Sequence, residues 1–349
     1  MTFRLMLGCV MSLCVFNAVV QADELQINPN HPEQYTVVKG DTLWDISAKF
    51  LRQPWRWPQL WRNNPQIKDP HWIYPGDTVY FSYVNGEPTL SFSPSAGVGQ
   101  QPDLDPAIRE SSIEQAVRVI PSDAIAQFLS SPKVVAADEL ANAPYVIGFA
   151  GEHLVAGSGD RVYVRAIENP EGLNYTIYRQ GPPYISPETQ EVLGYEAVYV
   201  ADTTLDATGD PATLRIDKSA GEVRRGDRLM VSKAGQMALN YFPKPPEKAI
   251  SGTILRVLNG VTQIGQHDIV VIDKGIADGL EAGHVLDVYR KGRVLLDTVK
   301  SESAESIKMP DELAGVLMVF RPFERVSYAL VMEATAAMHT LDRVQTSGQ

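Results

Sequence analysis

Short apolar runs separated by polar turns fill the C-terminal part of the chain from Tyr145 onward. Their length and their alternation of apolar and polar positions predict β-strands. Four such runs recur in the same order in two halves, which indicates an internal repeat. The runs of the first half lie at 159–164, 175–181, 193–198 and 226–229, and those of the second at 267–272, 288–292, 313–318 and 341–344. We therefore expect two related barrel-like β units, at 145–240 and 247–346.

A different pattern lies near the N-terminus, between residues 35 and 82. A β-rich run at 35–38 leads through a Lys-Gly-Asp turn into a helix that Thr42 can cap. The apolar positions of this helix fall on one face, at Leu43, Ile46 and Phe50.

A second short helix is expected to run through Leu60 and Trp61, after two prolines that interrupt the first pattern. A Pro-Gly-Asp turn then precedes a closing strand at 78–81. The predicted fold class is α+β, with a small βααβ domain followed by a mostly-β region of two related barrel-like units.

All the tryptophans of the chain lie in this small domain, at Trp44, Trp55, Trp57, Trp61 and Trp72. A domain of this size needs large side chains to build a core, and Trp61 in the middle of a helix is expected to be buried. Trp55, Trp57 and Trp72 flank prolines in loops, and for them core packing and ligand contact both stay open.

The phrases Val-Lys-Gly-Asp-Thr-Leu at 38–43 and Ile-Tyr-Pro-Gly-Asp at 73–77 resemble the two ends of the LysM domain. That domain is a glycan-binding module of bacterial envelopes. The sequence departs from its simplest pattern at 51–57, where the connection between the helices is longer.

The resemblance implies that N-acetylglucosamine-containing chains bind between the first strand-to-helix loop and the loop before the last strand. The glycan-binding residues that it implies are Gly40, Asp41, Thr42, Leu43, Trp44, Trp57, Asn64, Pro65, Trp72, Ile73, Tyr74 and Pro75.

The first 22 residues have the features of a secretory signal peptide. A positive start is followed by an apolar run at 5–20 and by small residues that favour cleavage after Ala22. A retained anchor is the competing interpretation, but the run is shorter than the roughly 20 residues that span a bilayer. Both cysteines, Cys9 and Cys14, lie in this segment, so the mature chain is expected to lack disulfides. After cleavage, the mature chain is expected to be periplasmic and not integral to the membrane.

Charge is distributed unevenly along a chain with a net charge of −11. Between residues 35 and 81 there are six Lys or Arg against four Asp, whereas the rest is strongly acidic. This balance argues against a nucleic-acid partner and favours contact between a basic module and the carboxylates of peptidoglycan.

Between the two regions the composition changes to Ser, Pro, Gly and Gln, and a linker is expected at 83–120. A helical adaptor is expected at 121–144, with Ile125, Phe128 and Leu129 available for packing.

Catalytic chemistry finds little support in the sequence. Without cysteine the mature chain cannot be a cysteine-dependent transpeptidase, and His267 and His284 lack the spacing of a metal site. Glu152, Glu196 and Glu281 do not form a pair that stands out as the acid and base of a glycosidase. We expect no catalytic residue, no metal and no cofactor.

A wider resemblance, from about residue 35 to 344, is to the type IV pilus secretin-associated (TsaP) family. The segments that carry it are 55–61, 70–77, 143–146, 156–163 and 263–266. This resemblance implies that the LysM domain binds peptidoglycan strands. It also implies that a C-terminal region similar to the flagellar T-ring protein FlgT associates with an outer-membrane secretin. A wall-remodelling enzyme and a general wall-binding protein without a pilus role stay open as alternatives.

Overall fold

The computed structural model describes residues 25–61, 73–92, 120, 121, 125, 128, 133–151, 153–167, 170, 172–232, 242–258, 263–297 and 305–347. The expected signal peptide and most of the expected linker lie outside these residues. Within the described part of the chain, no helix is long and apolar enough to cross a membrane.

The described residues of the N-terminal domain form two short α-helices and a three-stranded antiparallel sheet in the order β1-β2-β3. Its elements are β1 (Gln34–Thr36), α1 (Leu43–Phe50), a 3-10 turn (Pro54–Arg56), α2 (Trp57–Leu60), β2 (Thr78–Val84) and β3 (Glu87–Ser91). The β-α-α-β order is as predicted, but β3 lies in the stretch predicted to be a linker. Asn85 and Gly86 both have positive φ, which is the geometry of a tight hairpin turn, and their Asn-Gly sequence was the signal for it.

Helix α1 begins at a reciprocal cap. The Thr42 hydroxyl accepts a hydrogen bond from the Asp45 backbone N–H, and the Asp45 carboxylate accepts one from the Thr42 N–H. The apolar face of the helix is fully buried together with residues of the sheet and of the loop before β2, namely Val37, Leu43, Ile46, Phe50, Ile73 and Val79. The cap and the apolar face together fix where the helix starts and how it lies against the sheet.

The C-terminal region opens with β4 (Lys133–Val135) and α3 (Ala137–Ala141). Strand β4 pairs with a later strand, so the expected helical adaptor contributes an edge to the sheet. Ile125 and Phe128, which were predicted to pack, are buried, whereas Leu129 lies outside the described residues.

Six strands then form the first barrel: β5 (Tyr145–Phe149), β6 (Arg161–Arg165), β7 (Asn174–Ile185), β8 (Val192–Ala207), β9 (Ala212–Ser219) and β10 (Arg228–Val231). They are hydrogen-bonded in the order β8-β7-β10-β5-β6-β9, and β9 pairs back with β8 to close the ring.

The second barrel follows with β11 (Ser251–Val257), β12 (Ile269–Ile272), β13 (Val285–Arg290), β16 (Glu312–Pro322), β17 (Ser327–Ala334) and β18 (Arg343–Thr346). Its closed order is β11-β12-β17-β16-β13-β18. A separate hairpin of β14 (Val294–Asp297) and β15 (Glu305–Lys308) is inserted between β13 and β16.

The two barrels have the same topology. Matching β5 to β10 in chain order with β11, β12, β13, β16, β17 and β18 reproduces every pairing of the ring. The irregularities match too: the register shift between Val146 and Gly148 in β5 has its equivalent between Ile254 and Arg256 in β11. The predicted repeat of two related barrel-like units is therefore confirmed, and its four runs lie on equivalent strands.

Each barrel encloses its own apolar core, supplied by alternate residues of its strands. Val162, Val164 and Leu214 are buried inside the first barrel, and Val270, Ile272 and Ala329 occupy the equivalent positions inside the second. The glycine-rich stretch at 275–284 connects β12 to β13 through a single 3-10 turn at Ile276–Asp278.

Candidate functional site

Two loops of the N-terminal domain meet at one end of its sheet. The first follows β1 and the second precedes β2, and since these strands pair, their loops emerge side by side. Backbone hydrogen bonds join them directly: Val37 N–H donates to Asp77 O and Gly76 N–H donates to Val37 O, both at 2.8 Å. We call residues 38–42 and 73–77 the paired loops.

The first of the paired loops turns at Gly40, which has a φ of +99° and no atom within 4 Å of the place that a side-chain carbon would occupy. The Asp41 carboxylate accepts hydrogen bonds from the Val38 N–H and from the Tyr35 hydroxyl, each at 2.9 Å. Burial, together with the adjacent Asp41 carboxylate, raises the pKa of Tyr35 to about 12. Tyr35 is therefore neutral over the physiological pH range, and the loop is held by its own hydrogen bonds.

The second of the paired loops turns at Pro75 and Gly76, where Gly76 has a φ of +93°. Its ends are closed by the Asp77 carboxylate, which accepts from the Tyr74 N–H at 2.9 Å, and by the Asp77 N–H, which donates to Tyr74 O at 3.0 Å. Both loops are thus turns that are closed by their own hydrogen bonds.

The residues predicted to bind glycan fall into three groups. Gly40, Asp41, Tyr74 and Pro75 are exposed or half-buried in the paired loops. The side chains of Thr42, Leu43, Trp44, Trp57 and Ile73 are buried in the domain. Asn64, Pro65 and Trp72 lie outside the described residues.

The tryptophans described by the structure are core residues. Trp44, Trp55, Trp57 and Trp61 are all at least nine-tenths buried, as was expected for Trp61. The Trp57 ring centroid lies 6.1 Å from that of Phe242, in the segment between the two barrels. Sequence reasoning left Trp55 and Trp57 open because flanking prolines are equally typical of a loop and of a compact turn.

The carboxylates weighed for catalysis are in ion pairs where they are described. Glu196 accepts from Arg256 at 2.9 Å, and Glu281 accepts from Lys244 at 2.6 Å. The hydrogen bond and charge of Lys244 hold the pKa of Glu281 below its usual range. Glu152 lies outside the described residues. Within the described ranges, no three His, Cys, Asp or Glu side chains come together as a metal site would require.

Residues 35–82 match the family model of the LysM domain. The chain is also similar to the "Uncharacterized protein YqbP" of Bacillus subtilis (strain 168), with 42% identity over 58 residues. That similarity covers 14% of this chain and 26% of the relative, so the chain spans about a quarter of the relative's length. The protein therefore carries a LysM domain near its N-terminus, and a LysM domain implies binding of peptidoglycan or a related carbohydrate.

Proposed function

We propose that the LysM domain binds peptidoglycan glycan strands along the paired loops, and that the protein is a non-catalytic periplasmic anchor. In this proposal the two barrels associate with an outer-membrane secretin of a type IV pilus and hold it against the wall. The observation that supports the binding site best is the pair of backbone hydrogen bonds between Val37 and the Gly76–Asp77 turn, since they hold the two loops side by side as one surface.

Backbone groups in the paired loops match the chemistry of an N-acetylated sugar. The backbone groups that the loops do not use in their own hydrogen bonds can pair with the acetamido group, and the half-buried Tyr74 offers an aromatic ring to a sugar face. The buried Leu43, Trp44, Trp57 and Ile73 would act indirectly, by fixing the positions of the loops. Roles for Asn64, Pro65 and Trp72 stay predictions from the LysM resemblance.

A single module of this size is expected to bind glycan weakly, in the micromolar to millimolar range, which is about 4 to 8 kcal/mol. Several copies held on one secretin ring would bind one glycan meshwork many times over. The effective concentration for each further contact then approaches the millimolar range for tethers that reach the sites. Weak single sites are thus compatible with firm anchoring.

The binding edge can be tested with two glycines of the same backbone type. Gly40 lies in the paired loops, whereas Gly86 lies in the β2–β3 turn at the far end of β2, about 20 Å away at the usual rise of a strand. Both have positive φ and open space around them, so alanine causes similar backbone strain at each.

We expect Gly40→Ala to reduce pelleting of the mature chain with purified sacculi several-fold, and Gly86→Ala to leave it unchanged. Equal losses for the two variants would assign the effect to domain stability. If Gly40→Ala pelleted fully while the melting temperatures of the two variants fell equally, the paired loops would not be the glycan-binding site.

The secretin and the enzyme alternatives need separate measurements. Affinity capture with the full mature chain should retain an outer-membrane secretin, and Gly40→Ala should retain it equally because the barrels are untouched. Capture without any secretin would leave a general wall-binding protein. Release of dye or new reducing ends from labelled sacculi would instead show a wall-remodelling enzyme.

A further inference from the structure

A hairpin of the first barrel fastens the two barrels together. The ends of β7 and β8 extend beyond the ring, and Tyr184 near their tip is buried. Two carboxylates of this hairpin pair with arginines of the second barrel: Glu196 with Arg256 at 2.9 Å, and Glu191 with Arg325 at 2.7 Å. The surface that receives the hairpin is centred on the outer side of β17, where Tyr328 is fully buried.

The second barrel has a hairpin at the equivalent place. The pair Tyr178 and Tyr199, which follows a register shift in β7–β8, corresponds to the pair Tyr289 and Leu313 in β13–β16. Beyond this point the first barrel continues into its docked hairpin, and the second continues into β14 and β15. The repeat therefore supplies two hairpins at equivalent positions, one docked and one not.

The β14–β15 hairpin is apolar and exposed. Val294 is 64% exposed and Leu296 is 61% exposed, and Leu295 and Ile307 lie side by side in its register and are also exposed. Within the described residues, β14 and β15 pair only with each other. A short two-stranded ribbon that shows this much apolar surface is typical of an interaction site.

The first barrel has an exposed face at the position equivalent to the receiving surface. The pair Val271 and Tyr328 of the second barrel corresponds by register to Tyr163 and Thr213 of the first. Tyr163 is 36% exposed, and Ile147 on the neighbouring strand is 43% exposed. Arg161, Arg165 and Arg215 border this face, and each pairs with an aspartate of the first barrel.

We propose that the β14–β15 hairpin docks on the outer face of the first barrel of a second copy of this chain, around Ile147 and Tyr163. This contact between two copies is equivalent to the contact that the β7–β8 hairpin makes within one copy. It is head-to-tail, because hairpin and face lie on different barrels, so it builds a ring or an open filament.

The repeat supports a second copy as the occupant. The face equivalent to the one that the β7–β8 hairpin covers is present on the first barrel of every copy of this chain.

The test is the mass of the mature chain in sedimentation velocity over about 1 to 100 μM, the range of weak interfaces. We expect the wild-type mass to rise with concentration. The hairpin variant Leu295→Asp/Leu296→Asp and the face variant Ile147→Asp/Tyr163→Asp should each stay monomeric. Leu173→Asp, an exposed apolar position away from both surfaces, should associate like the wild type.

An equimolar mixture of the hairpin variant and the face variant gives the sharpest outcome. Each retains one working surface, so the mixture should form a complex of two chains that grows no further. A mixture that stays monomeric, a face variant that associates like the wild type, or a wild type that is monomeric throughout would each overturn the proposal.

Melting of each variant by circular dichroism separates a lost contact from a lost fold, and serine versions replace any aspartate variant that unfolds. Sacculus pelleting at low concentration should be the same for all of them, since the LysM domain is unchanged. Failure here would therefore leave the proposed wall-binding function untouched.

Discussion

The two barrels have similar interiors and different outer faces. At equivalent positions, Val162 and Val164 point into the first barrel as Val270 and Ile272 point into the second. The alternate residues of the same strands point outward and are unlike: Arg161 and Tyr163 are exposed in the first barrel, whereas Ile269 and Val271 are buried in the second. The outer face of the equivalent strands is therefore exposed to solvent in the first barrel and covered in the second.

Strand geometry explains how the repeats could diverge in this way. Side chains alternate between the two faces of a strand, so the barrel interior constrains only every second position. The outward positions are free to change with whatever packs on them. In the second barrel they are covered by apolar groups from the rest of the chain, including Tyr184 of the first barrel. The inside of each barrel thus defines the fold, and the outside defines its contacts.

The largest effect is expected where the outside of the second barrel is covered. Tyr184→Ala removes a buried ring from the contact between barrels and should lower the free energy of unfolding by about 3 to 5 kcal/mol. Leu295→Ala, on the equivalent but exposed hairpin, should change it by less than about 0.5 kcal/mol at low protein concentration. Urea unfolding of both variants compares them directly. A similar cost for the two would mean that the β14–β15 hairpin is also packed within the single chain.

A second difference lies inside the barrels, at Ala201 and Gly315, which occupy equivalent positions before a shared register shift. A side-chain carbon added at Gly315 would collide with the Glu333 carbonyl oxygen and the Met338 methyl group. Gly315→Ala should therefore cost about 1 to 3 kcal/mol through overpacking.

The reverse change tests the same equivalence. Ala201→Gly should cost only about 0.5 to 1 kcal/mol, because it loses one methyl group and gains unfolded-chain freedom. Thermal melting of both variants decides the order. A Gly315→Ala variant as stable as the wild type would show that β16 and β17 can move apart at no cost.

Much of this architecture could be predicted from the sequence. The alternation of apolar residues located the strands, and four recurring runs revealed the repeat. Both signals exist because each barrel interior requires apolar residues at alternate positions of its strands. The order of the strands in each ring and the shared bulges could not be predicted, since they depend on pairings between strands far apart in the chain. Burial of outward residues such as Val271 could not be predicted either, because a valine beside other valines looks the same on either face.

The LysM domain shows the same limits on a smaller scale. Its turns were predictable from Gly40, Pro75 and Gly76, which adopt conformations that few other residues tolerate. The burial of Trp57 was not, because it involves Phe242, nearly two hundred residues away in sequence. Strand β3 was missed although Asn85 and Gly86 marked its turn, since the polar composition that follows is typical of a linker.

A third difference concerns two equivalent arginines, Arg179 and Arg290, which follow Tyr178 and Tyr289. Arg179 donates two hydrogen bonds to the carboxylate of Asp227, which is buried, and a third to Glu222 O. The bonds to Asp227 raise the pKa of Arg179, so the pair stays charged. Arg290 instead pairs with Glu312, which is exposed.

Arg179→Ala should lower the free energy of unfolding by about 2 kcal/mol, less than for a fully buried pair because the arginine itself is partly exposed. Arg290→Ala should lower it by less than about 0.5 kcal/mol, as is typical of surface pairs. Urea unfolding at low and high salt measures both, and salt should reduce only the effect at Arg290. Because the two arginines occupy the same place in the repeat, equal costs would mean that burial of the carboxylate does not decide the strength of the pair. A larger cost at Arg179 would extend the contrast between the barrels from their apolar surfaces to their ion pairs.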